Sequence, residues 1–159
     1  MNQKKMSILL KGIAIMVGIM GALFLIILMP MLAKDCKEIY KEFAYLYWPG
    51  ICYGWLIGII CFGALYQFWK ICNEIGKDNS FSMENIKSLN TISMLAFLVA
   101  AIWFAGLVGL IMIGSMSISF FLLMSLATLV SLAISIIAIV LSHLVRKAYE
   151  LKQESELTI

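Results

Sequence analysis

His143 and the four cysteines, Cys36, Cys52, Cys61 and Cys72, are the side chains best suited to metal ligation or nucleophilic chemistry, and their spacing decides what they can do. A catalytic or metal-binding histidine needs a carboxylate, thiol or second imidazole within reach. His143 has Arg146 and Lys147 as its charged neighbours instead, which marks it as a boundary residue at the end of an apolar stretch. The cysteines form no CxxC pair, so neither a zinc site nor a disulfide oxidoreductase has its ligand spacing. Cys61 and Cys72 read as small buried hydrophobes. Cys36 and Cys52 fall on one side of the membrane and can bridge, or Cys36 can remain a free thiol. No glycine-rich phosphate loop, HExxH helix or GxSxG elbow is present. The expectation is a protein that is not an enzyme and holds no cofactor and no metal.

The elements that carry these residues are membrane spans. Of the 159 residues 63% are apolar and 13% charged, against about 45–50% and about 25% in a soluble domain. A core of this size cannot cover that much apolar surface, so the lipid bilayer is the first partner. The net charge of +3 is too weak and too dispersed for direct nucleic-acid binding. Gly12 to Ala33 is free of charge over 22 residues, about the length that crosses the hydrocarbon core. The basic start resembles a signal peptide, but Met31 and Lys34 spoil a small-residue cleavage pattern, so the segment reads as a retained anchor. A second uncharged run opens with Tyr45-Leu46-Tyr47-Trp48-Pro49-Gly50, an aromatic interface segment, and its span covers 51–69. From Ser88 to Val145 there are 58 residues without a formal charge, about 87 Å as one helix, so the chain must fold back once. The polar cluster Gly114-Ser115-Met116-Ser117 is the natural turn, giving spans 91–113 and 118–143. The expected fold is all-α: a single membrane domain of four transmembrane helices in an antiparallel bundle, with a loop at 70–90 and a tail at 144–159.

Nine Lys and Arg lie on the side of the two termini and the 70–90 loop, and three on the other. Positive loops stay inside, so both termini are expected in the cytoplasm of a bacterial cell, beneath its plasma membrane. None of the four spans carries a Lys, Arg, Asp or Glu that would mark a transport path, and a proton-coupled exporter lacks its carboxylate.

Helices in lipid associate through close backbone approach and polar contacts. Gly50, Gly54 and Gly58 form a tandem small-residue ridge, repeated by Ala14, Gly18 and Ala22 in the first span and by Ala101, Ala105 and Gly109 in the third, with Ala96 and Ala100 on a neighbouring line. The fourth span carries Thr128, Ser131, Ser135, Ala138 and Ser142 along one face. These stripes read as packing within the chain; a homo-oligomer seam or a polar solute path is the sharper alternative. Hydroxyls in lipid can also bond back to the carbonyl four residues earlier and then need no ligand.

The polar loop and tail remain as functional surface. Gly76 stands where a C-cap glycine would end the second span. Lys77-Asp78-Asn79-Ser80 reads as a turn, and Ser82 as an N-cap with Glu84 in the first turn of a helix starting near Met83. The tail offers Arg146–Glu150 and Lys152–Glu156 as i,i+4 pairs, then ends on Glu156-Leu157-Thr158-Ile159, a frayed terminus or a docking one. Loop and tail each balance three basic residues with three acidic ones, which suits a specific protein contact better than attraction to anionic lipid. Ser82, Glu84, Asn85 and Lys87, together with Arg146, Glu150, Glu154, Leu157, Thr158 and Ile159, are the candidate partner-binding residues. On the opposite side, aromatic-rich Tyr40 to Trp48 is the one candidate surface for sensing.

Ser80-Phe81-Ser82-Met83-Glu84-Asn85 resembles the PFSxEN start of the third helix in a bacterial family of four-helix membrane proteins, catalogued as domain of unknown function twenty-nine seventy-five. Ala148 to Ile159 is similar to that family's GxxLxxENDLTI ending. Ser80 replaces the proline, Ala148 the glycine, and Ser155-Glu156 the Asn-Asp pair. Family members are often encoded beside a very small helix-turn-helix regulator. The resemblance therefore implies a membrane partner or sensor that holds or releases a cytoplasmic transcription factor. The alternatives are a small-solute permease and an immunity protein against a membrane-active peptide.

Overall fold

The structure, a computed structural model, describes residues 3–39, 41–115 and 117–157. These are almost wholly helical, and four helical stretches are long and apolar enough to cross a membrane. The first comprises α1 (Gln3–Leu23), a π-helical turn (Phe24–Leu28) and α2 (Met29–Ile39). A 3-10 turn (Lys41–Leu46), kinked at Phe43, leads into α3 (Tyr47–Gly76), followed by α4 (Met83–Ile113) and α5 (Ile118–Leu157).

Pro30 accounts for the π turn. It has no N–H to give to the preceding turn, so the helix ahead of it widens and Met29 N–H bonds to Phe24, five residues back. The Leu25 carbonyl, whose i+5 partner would be Pro30, accepts the Trp55 indole N–H from α3 at 3.2 Å. In lipid no water can satisfy that carbonyl, so the indole contact ties the bulge to the neighbouring span. Gly54 and Gly58 receive the side chains of Met29 and Leu25 beside the bulge, and a Cβ at either glycine would collide with them. Gly18 lies against Leu65, Ala14 is buried and Ala22 half-buried, whereas Gly50 has open space around it and takes no part in the contact.

α3 meets α4 through Tyr53, whose hydroxyl donates to the Ile102 carbonyl at 2.5 Å and stacks edge-on against Trp103. Gly106 makes room for that ring, since a Cβ there would strike the phenol. In α4 the buried small residue is Ala100, while Ala101 and Ala105 are exposed and Gly109 has no close neighbour. The α4–α5 seam is held by hydroxyls. Ser93 and Ser135 each donate to the other's carbonyl at 2.9 Å, and Ser142 donates to the Ile86 carbonyl at 3.3 Å. Thr128 and Ser131 bond back within α5 to Met124 and Ala127.

The turn between α4 and α5 is built as its residues suggest. Gly114 caps α4 in the left-handed region, at φ 75°, and Ser117 accepts from the Phe120 N–H; Met116 lies outside the described residues. Tyr47, Trp48, Pro49 and Gly50 form the first turn of α3, so the helix begins ahead of the expected span. Of the cysteines read as buried, Cys72 is and Cys61 is exposed on its span; none of the four is bridged.

Within the four-span fold the packing is serial. The first span touches α3, α3 touches α4, and α4 touches α5; among the described residues α1 meets neither α4 nor α5, and α3 does not meet α5. The four helices thus form an open row, and most of their apolar side chains face outward.

Candidate partner-binding surface at one end of the row

Three contacts fix which parts of the chain share one end. Ser7 donates to the Cys72 carbonyl at 2.6 Å, Gln3 meets Ser80, and Ser142 lies beside Ile86. The start of α1, the loop between α3 and α4 and the end of α5 therefore lie together, opposite the Lys41–Leu46 turn.

The loop is locked by its own polar groups. Glu74, buried, accepts from Lys77 at 2.8 Å and from the Asn79 side chain at 3.0 Å, and its carbonyl accepts the Asn79 N–H. The hydrogen bonds from Lys77 and Asn79 hold the Glu74 carboxyl below its usual range, and the same bond raises the Lys77 ammonium. Ser82 is an extended residue whose hydroxyl accepts from the Asn85 N–H at 3.2 Å, a helix N-cap. The Asn85 amide reaches back to the Ser80 carbonyl at 2.8 Å. The Gln3 amide sits 3.1 Å from the Ser80 hydroxyl and, with its nitrogen turned inward as its neighbours favour, also reaches the Ile75 carbonyl and the Asp78 carboxylate.

Gly76 does not cap α3 in the manner expected of it. It is the last helical residue, Lys77 is the cap, and the left-handed conformation falls to Asp78, at φ 59°. Aspartate tolerates that region better than most residues. The glycine serves a contact instead: a Cβ there would press on the Ser7 hydroxyl, so a side chain at 76 would push α1 away.

The structure divides the candidate residues. Ser82 and Asn85 are buried and occupied by the loop, so they shape the surface without forming it. Glu84 and Lys87 are exposed on the first turns of α4. Arg146, Glu150, Glu154 and Leu157 are exposed on α5, while Thr158 and Ile159 lie outside the described residues, as does Tyr40. The tail ion pairs do not close: neither Arg146–Glu150 nor Lys152–Glu156 comes within salt-bridge distance, and Gln153 donates to the Tyr149 hydroxyl instead. Every residue from Glu150 to Leu157 is exposed, Leu151 and Leu157 included, on a helix that continues without a break from the span. The sequence reading missed Gln3, Ser7 and Glu74 as the groups that build this end. Glu74 lay in plain view beside Lys77, whereas Gln3 and Ser7 act across about 70 residues of chain, which no local pattern reports.

Among curated proteins, the chain is 27% identical over 165 residues to the uncharacterized membrane protein YoaS of Bacillus subtilis (strain 168), covering 96% of this chain and 97% of that one. No solved structure matches it. The sequence profile of the family described as protein of unknown function (DUF2975) matches residues 31–159, from the end of the first span through the Ser82 cap to the tail, and to that membrane-protein family the chain belongs.

Proposed function

We propose that this is a non-enzymatic protein of the bacterial plasma membrane, with both termini in the cytoplasm, whose loop and tail bind a small cytoplasmic protein, a helix-turn-helix regulator. The observation that carries the reading is the end of α5. It leaves the membrane as a helix exposed on all sides, with Leu151 66% and Leu157 87% exposed among charged residues. An isolated solvated turn gains little from its own hydrogen bonds, and apolar side chains on such a helix suit a partner's groove. The locked loop supports it, because a surface stiffened by Ser82, Asn85 and Glu74 loses little entropy on binding. The nine-to-three lysine and arginine asymmetry supports an orientation with this end inside the cell.

The test is a photo-crosslinking amino acid at Leu151 in the full chain, expressed in its native membranes. The expected product is an adduct with one small soluble DNA-binding protein. Adducts with lipid or with a second copy of this chain alone would overturn the reading.

A further inference from the structure

A groove of about 500 Å³ opens between α4 and α5 at the loop end of the row. Its mouth is set by Arg146, His143 and Asn90, and its floor runs down Met94, Phe97 and Ile139 toward the middle of the spans. The three polar side chains are exposed, and none makes a hydrogen bond or ion pair with the described residues. No carboxylate lines the groove. By contrast, in the cleft of about 400 Å³ between α1 and α3, Lys77 is paired with Glu74 and Lys11 lies over the Trp69 ring. Two of the three lysines that line that cleft are thus engaged, whereas Arg146, the guanidinium of the α4–α5 groove, is not.

We infer that the α4–α5 groove binds one anionic phospholipid, its phosphate held by Arg146 and Asn90 beside His143 and its acyl chain lying along Met94, Phe97 and Ile139. A guanidinium matches a phosphate in two parallel hydrogen bonds, and an arginine at the headgroup level with apolar side chains below it fits a molecule charged at one end and oily at the other. From Asn90 to Phe97 the groove descends seven residues of helix, about 10 Å at 1.5 Å per residue, the depth of a glycerol backbone and the first carbons of a chain. Arg146 is also the first charged residue of the tail, so the bound lipid fixes the point at which α5 leaves the bilayer. The inference shares Arg146 with the candidate partner-binding surface but does not rest on that reading, which is carried by the tail beyond Glu150.

Native mass spectrometry of the full chain in detergent, with equal amounts of dioleoylphosphatidylglycerol and dioleoylphosphatidylcholine, tests it. One phosphatidylglycerol should be retained in preference to phosphatidylcholine. Arg146→Ala should lower its retention about fivefold, the effect of one interfacial cation, and Lys11→Ala should leave it unchanged. Asn90→Leu, at an exposed position without a hydrogen bond in the chain, carries the same direction of effect and serves if Arg146→Ala does not fold. Equal retention of the two lipids, retention unaltered by both groove variants, or displacement by an equal concentration of inorganic phosphate would overturn the inference.

Discussion

Gly54 shows how much one missing side chain can decide. Met29 occupies the space a Cβ would take, directly after the π turn that Pro30 imposes. Gly54→Leu should part the first span from α3 or expel Met29, a loss of about 1–3 kcal/mol typical of overpacking, seen as a lower melting temperature in detergent. Gly50→Leu, at an open position, should leave the melting temperature unchanged. The ridge spacing was visible in the sequence for both glycines; only the bulge, which brings Met29 and Leu25 against α3, separates them. Glu74 gives a pH-dependent counterpart. Its carboxyl is held below the ordinary 4.5 by bonds from Lys77 and Asn79, so the loop stability it contributes is present above 4.5. That contribution falls as pH drops below 4.5 and is lost once the pH passes beneath the lowered value. The protection of the amides from Lys77 to Ser82, taken relative to their intrinsic exchange rates at each pH, should therefore fall on acidification over that range, and Glu74→Gln should remove that loss of protection.

At the scale of elements, apolar run length and the Ser82 cap were legible because both are local signals. The helix starting at Met83 and the Gly114 turn lie where those signals put them. The end of α3 was not legible: the left-handed residue is Asp78, and Gly76 answers instead to Ser7, far away in sequence. The hydroxyl stripe of α5 was legible as a stripe but not in its division of labour. Thr128 and Ser131 bond back within their own helix, whereas Ser135 and Ser142 meet α4, and only the packing chooses between these. The Ser93–Ser135 exchange should thus carry the seam. Replacing both with alanine should lower stability by about 1 kcal/mol, judging from hydrogen bonds between helices in membranes, and Thr128→Val should cost less. Thermal unfolding of the two variants in one detergent makes the comparison.

For the whole molecule, the four spans form an open row whose outer faces belong to lipid and whose loop end is the polar, structured surface. The serial packing could not be read from small-residue ridges, because a ridge marks a close approach without saying to which helix. Ala101, Ala105 and Gly109 resemble the α3 ridge in spacing yet face outward. The central proposal is that the loop end, through the projecting α5 helix, holds a small cytoplasmic regulator. Crosslinking pull-down from native membranes, with the full chain and with a chain lacking residues 150–159, tests it most directly. A small DNA-binding protein should be recovered with the full chain and lost with the shortened one, while both chains reach the membrane in equal amounts. Recovery of the same soluble proteins with both chains, or of none with either, would contradict it.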